Sequence, residues 1–129
     1  MLSAGAVLAQ APAREAVLLD PAEREHVLGE MRDFLTLLEK VNGALARGDF
    51  DAIAGAARPP GAGGDKGRMP PAIAKKLPPG FRAMARSTLE QIDAIAAEAA
   101  RRETSRTLEQ VGRLLATCNA CHAAYRFPN

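Results

Sequence analysis

Apolar residues in this chain recur in steps of three and four, never two, and that period limits its fold more than any other feature. Val27, Met31, Phe34, Leu38, Val41 and Leu45 are separated by 4, 3, 4, 3 and 4 residues, the stripe of a helix that packs in a bundle. A second stripe consists of Phe81, Ala85, Thr88, Ile92, Ile95 and Ala99, with Met84 and Leu89 on its flank. A third runs through Leu108, Val111, Leu115, Cys118, His122 and Tyr125. No stretch offers a comparable strand pattern.

Start and stop signals divide the pattern into helices. Asp20-Pro21-Ala22-Glu23 reads as an N-cap, a proline at the first helical position and a glutamate three residues after the cap. Gly48 suits the stop, so a first helix is expected over about 21–47. Asp49 then caps a second helix that starts at Phe50 and carries Ile53, Ala54 and Ala57. Pro59-Pro60 ends it, and the glycine-rich 61–68 lacks the GK[ST] ending of a phosphate-binding loop, so it reads as a connection. A short helical turn is expected over 70–77 and a long third helix over about 80–101, closed by Arg101-Arg102-Glu103. The last helix starts near Thr104. Four helices with short turns predict an all-α fold, an antiparallel up-down-up-down four-helix bundle over 20–127.

The chemistry of the chain is concentrated in Cys118-Asn119-Ala120-Cys121-His122, which holds both cysteines and one of the two histidines. C-x-x-C-H is the attachment signature for c-type haem. Each thiol adds across a haem vinyl group to leave a thioether, and the imidazole supplies the proximal iron ligand. Residues at i, i+3 and i+4 share one helical face, so Cys118, Cys121 and His122 reach one flat macrocycle. The motif is also in phase with the stripe of the last helix, which places one covalent haem in the core near the C-terminal helix. Three other readings of the motif are weaker. A thioredoxin-like C-x-x-C follows a strand and opens a helix, and no strand precedes this one. A structural zinc site needs four ligands, and the only other Cys or His is the distant His26. The third is a chance pair of buried cysteines beside a histidine.

Composition narrows the class. The chain has 129 residues, enough for one domain, and its 47% apolar share includes only four Phe, one Tyr and no Trp. Alanine and leucine carry the rest, which favours helix. A net charge of +2, with no dense basic run and no aromatic platform, gives no sign of nucleic-acid binding. No stretch reaches the roughly eighteen apolar residues of a membrane span. Residues 1–13 read as the remnant of a secretory signal or a disordered start: an apolar MLSAGAVLA runs into small residues without a positive n-region. Export to the periplasm agrees with haem attachment outside the bacterial cytoplasm.

The run from Cys118 to Arg126, C-N-A-C-H-A-A-Y-R, resembles the class II c-type cytochromes, of which cytochrome c′ is the best-known branch. That family shows C-x-x-C-H-x-x-Tyr/Phe-Arg in its fourth helix, and the Gly48-Asp49-Phe50 turn resembles its break after the first helix. The resemblance implies thioethers at Cys118 and Cys121, an iron–nitrogen bond from His122 and a proximal-side Arg126, with Tyr125 as packing. It places the distal residue on the inner face of the first helix, where Met31 lies. A methionine there implies a six-coordinate electron carrier whose potential is raised by the soft thioether. An apolar residue there implies an open iron that binds nitric oxide or carbon monoxide. His26 reads as a surface histidine, Met69 as a loop residue and Met84 as core. The family often has an arginine four residues before its distal residue; that position is Val27, with Arg24 and Arg32 as substitutes. The expected protein is a periplasmic monohaem electron carrier with redox protein partners, not an enzyme. Its alternatives are a gas-binding module and a helical structural protein with an incidental motif. A homodimer through the first two helices is a further implication of the resemblance, weakened by the short second helix.

Overall fold

The computed structural model of the protein describes residues 13–57 and 69–128. The leader-like start up to residue 12 and the glycine-rich connection over 61–68 lie outside the described residues. Five helices account for most of what is described: α1 (Pro21–Ala46), α2 (Phe50–Ala57), α3 (Pro71–Ala74), α4 (Pro79–Ala100) and α5 (Thr104–Ala124). Two two-residue strands, β1 (Glu15–Ala16) and β2 (Tyr125–Arg126), pair in parallel, Glu15 opposite Tyr125 and Ala16 opposite Arg126. None of the described helices is long and apolar enough to cross a membrane.

The helix ends follow from local chemistry. The Asp20 carboxylate accepts from the Glu23 N–H at 2.9 Å, and the Glu23 carboxylate accepts from the Asp20 N–H at 3.0 Å. This reciprocal box satisfies backbone donors that the first turn leaves open. Glu23 also receives Lys76 Nζ at 2.7 Å on each oxygen, which ties the segment after α3 to the start of α1. Gly48 ends α1 with φ +67°, the left-handed conformation that glycine adopts without a Cβ penalty. The Asp49 carboxylate accepts from the Ala52 N–H at 3.0 Å and so starts α2. Arg102 occupies the same left-handed region after α4, with φ 58°. Its guanidinium lies 5.9 Å from the Phe50 ring centroid and 3.6 Å from Asp51, so its side chain holds the α4–α5 turn against α2.

The apolar side chains form two clusters. The larger joins Leu37, Leu38, Val41 and Ala44 of α1, Ile53 and Ala57 of α2, Ile92, Ile95, Ala96 and Ala99 of α4, and Val111 and Leu114 of α5. The smaller joins Val17, Val27, Ile73, Leu77 and Phe81, with Met31, Cys121, Tyr125 and Phe127 packed on its edge. The expected α1 and α4 stripes agree closely with these burial patterns. The α5 stripe is rotated by one position in its first half. Thr107, Val111 and Leu114 are buried, whereas Leu108 and Leu115 are 50% and 43% exposed. Thr107 is buried without penalty because its hydroxyl donates to the Glu103 carbonyl at 2.7 Å.

The strand pair is the other departure from the helix-only expectation. The segment before α1 is a strap along the end of the molecule, anchored by Val17, which is 2% exposed. The Val17 N–H donates to the Arg126 carbonyl at 2.8 Å. Two residues per strand are too few to show a period in sequence.

Two substitutions in helices test the framework with opposite signs. Gly112 is exposed within α5, and a Cβ there meets nothing within 4 Å. Gly112→Ala should therefore raise the unfolding free energy by about 0.5–1 kcal/mol. Asp20→Ala removes the capping box and should lower it by about 1 kcal/mol. Urea unfolding followed by circular dichroism measures both.

Candidate cofactor site

At the end of the molecule where the strap crosses, α1, α4, α5 and β2 enclose a cavity of about 460 Å³. That is within the roughly 300–1,000 Å³ range of small-molecule and cofactor sites. Its apolar walls are Val17 from the strap, Leu28 from α1, Phe81 from α4, and Phe127 after β2. Met31 of α1 and both Cys121 and His122 of α5 face into it, as do Tyr125 and three arginines, Arg14, Arg24 and Arg126. No carboxylate is among the lining residues, so the cavity is apolar in its walls and positive in its charge.

The turns of α1 and α5 decide which candidates meet. Met31 lies one helical turn after Val27 and is half-buried against the smaller cluster. On α5, the buried line through Thr107, Val111 and Leu114 continues to Cys118 and Cys121 in further steps of four and three. Cys118 packs on the larger cluster and Cys121 on the smaller one. The motif thus spans the seam between them. His122 is one position off the line, exposed, and reaches the cavity. Met31, Cys121, His122 and Arg126 are therefore brought together, and Cys118 is the one motif residue that does not line the cavity.

The other candidates separate cleanly. Among the described methionines, only Met31 lines the cavity. Met69 packs on the smaller cluster without reaching it, and Met84 is half-buried in α4. His26 is exposed on α1, with Nε2 3.6 Å from a Glu30 carboxylate oxygen. Of the two arginines considered as substitutes at Val27, Arg24 lines the cavity and donates through Nη1 to the Pro128 carbonyl at 3.0 Å. Arg32 is instead paired with Glu25 on the surface. Arg14 carries no motif signal in the sequence, because nothing local ties it to a motif that starts 104 residues later.

Both cysteines are free thiols. Burial pushes both up from the ordinary thiol range, and the neighbouring Cys118 raises Cys121 further. The thiols are accordingly protonated at neutral pH, the opposite of the raised thiol acidity that drives thioredoxin-type exchange. Among the described residues, no group of three or more His, Cys, Asp or Glu side chains converges as a metal cage.

Tyr125 is positioned by a close approach. Its ring meets Phe81 edge-on, with centroids 5.4 Å apart at 64°. A Cβ built on Gly80 would lie 2.3 Å from the Tyr125 hydroxyl. The absence of a side chain at Gly80, in the first turn of α4, is what lets the ring lie against that helix.

No protein-family model, curated protein or solved structure matches this chain.

Gly80→Ala weighs a gain in helix propensity of at most about 1 kcal/mol against overpacking that costs about 1–3 kcal/mol. The balance predicts a less stable protein with a displaced Tyr125. A lowered urea midpoint together with increased tyrosine exposure by ultraviolet difference spectroscopy checks this.

Proposed function

We propose that the protein is a monohaem c-type cytochrome that carries single electrons between partner proteins outside the cytoplasm. The observation that carries this is the lining of one cavity by the Met31 thioether, the His122 imidazole and the Cys121 thiol, beside three arginines and no carboxylate. Two donors, Met31 and His122, are too few to hold a bare ion, but they would suffice to hold an iron that brings nitrogens of its own. The arginines suit the two carboxylates at one edge of such a macrocycle. With this cofactor in place, the helices sharing the larger core form an antiparallel up-down-up-down four-helix bundle of the class II kind.

Each residue has a distinct task. Cys118 and Cys121 each form one carbon–sulfur bond as the S–H adds across a vinyl group. The reach of Cys118 requires its side chain to turn from the larger cluster towards the cavity. His122 supplies the proximal nitrogen. Met31 supplies a soft sulfur that favours the reduced iron and so raises the potential. Val17, Leu28, Phe81 and Phe127 give the cavity its apolar walls. When bound, haem supplies the one-electron ferric/ferrous couple. Arg126 and the exposed His122 edge lie at the surface, where a partner approaches.

The packing of Met31 on the edge of the smaller cluster favours a second reading, in which Met31 only fills space. Haem held by His122 alone would be open to nitric oxide or carbon monoxide.

The visible spectrum of protein exported and matured in a haem-competent host separates these readings. Sharp reduced α and β bands, with the weak far-red band of methionine-ligated ferric haem, are expected. Met31→Ala should abolish the far-red band and lower the reduction potential. A high-spin spectrum that shifts with carbon monoxide in the unmodified protein establishes the gas-binding reading instead. A colourless protein rules out both.

A further inference from the structure

The strap before α1 does more than cover an edge. It pairs with β2, which begins three residues after His122, and it delivers Arg14 into the cavity wall. Three cationic side chains thus converge on one cavity from three separate segments: Arg14 from the strap, Arg24 from α1 and Arg126 from β2. None of the three forms an ion pair with a carboxylate among the described residues. Arg24 is held through its guanidinium, and the exposed Arg14 and Arg126 are placed through their backbone. Arg24 donates to the Pro128 carbonyl at 3.0 Å. Arg126 is paired to Ala16, and its carbonyl accepts from the Val17 N–H at 2.8 Å. Arg14 is fixed through its neighbour Glu15, opposite Tyr125, and through the buried Val17.

Guanidinium groups gathered around an apolar cavity without a counter-charge repel one another, less strongly where solvent reaches them as it does at Arg14 and Arg126, and an anion relieves that repulsion. We infer that Arg14, carried by the strap, is a carboxylate-binding residue of the cofactor cavity and clamps an acidic edge of the bound group together with Arg24 and Arg126. This rests on the haem reading above, and the carboxylates concerned are the two propionates. The planar fork of arginine forms two parallel hydrogen bonds to a carboxylate and holds it ionised. Ordering of the strap is then coupled to occupancy of the cavity, because the charge that Arg14 meets is on the ligand.

The test uses the matured haem protein and its reduction potential as a function of pH. Ionisation of a propionate appears as a step in that profile. Arg14→Gln should lower the potential near neutral pH, since a cation that opposes the ferric charge is lost. It should also move the step to higher pH by about one unit, the effect of removing an adjacent opposite charge. Arg14→Lys should restore most of the shift. Arg106→Gln removes the same charge from an exposed site 16 residues before His122 on α5, about 24 Å along the helix, and should leave the profile unchanged. If Arg14→Gln and Arg106→Gln give the same profile while haem is attached in both, the clamp is wrong and the cytochrome reading stands. If the unmodified protein takes up no haem, the cytochrome reading fails and the clamp fails with it.

Discussion

The line of side chains on α5 from Thr107 to Cys121 joins the two halves of this molecule. Its first members, Thr107, Val111 and Leu114, are buried, the latter two in the larger core. Its last, Cys121, packs on the smaller cluster that walls the cavity. The positions in such a line share one face, because helical neighbours three and four apart lie above one another. The face on which both thiols stand is therefore set by aliphatic packing up to about 20 Å away along the same helix. The geometry of the cavity is in this sense a by-product of core packing, supported by elements that never touch it.

Beyond Cys121 the helix ends, and control passes to extended backbone. Tyr125 has β-region dihedrals, and the strap pairs with it and with Arg126. A two-residue parallel pair contributes little by itself, but buried Val17 anchors it directly after β1, and the capping box at Asp20 fixes the chain three residues further on. These contacts fold the two ends of the described chain onto the same site. Gly80 contributes by absence, since any side chain there would drive the Tyr125 ring out of the wall.

The electrostatics of the cavity follow from what is missing as much as from what is present. Three guanidiniums and one imidazole line it without a carboxylate. The thiols are held protonated by burial. Such a site is poorly suited to thiol–disulfide exchange, and it suits an apolar body with acidic groups at one edge.

Much of this was legible in the sequence, because it depends on local chemistry. The Asp20 box, the left-handed Gly48, the Asp49 cap, the α1 and α4 stripes and the C-x-x-C-H spacing each involve residues within a turn or two of one another. The phase of α5 was not fully legible. Leu108–Val111–Leu115 and Thr107–Val111–Leu114 are nearly equivalent as periodic patterns, and side-chain hydropathy favours the first. Packing selected the second, because Thr107 satisfies its own hydroxyl within the helix. Met31 and Arg126 could be named from the sequence, but that Arg14 and Arg24 join them at one cavity was decided only by tertiary structure. Arg14, Arg24 and Met31 are distant in sequence from the motif, and only the packing of the chain at this end, with the strap laid across it, makes them its neighbours.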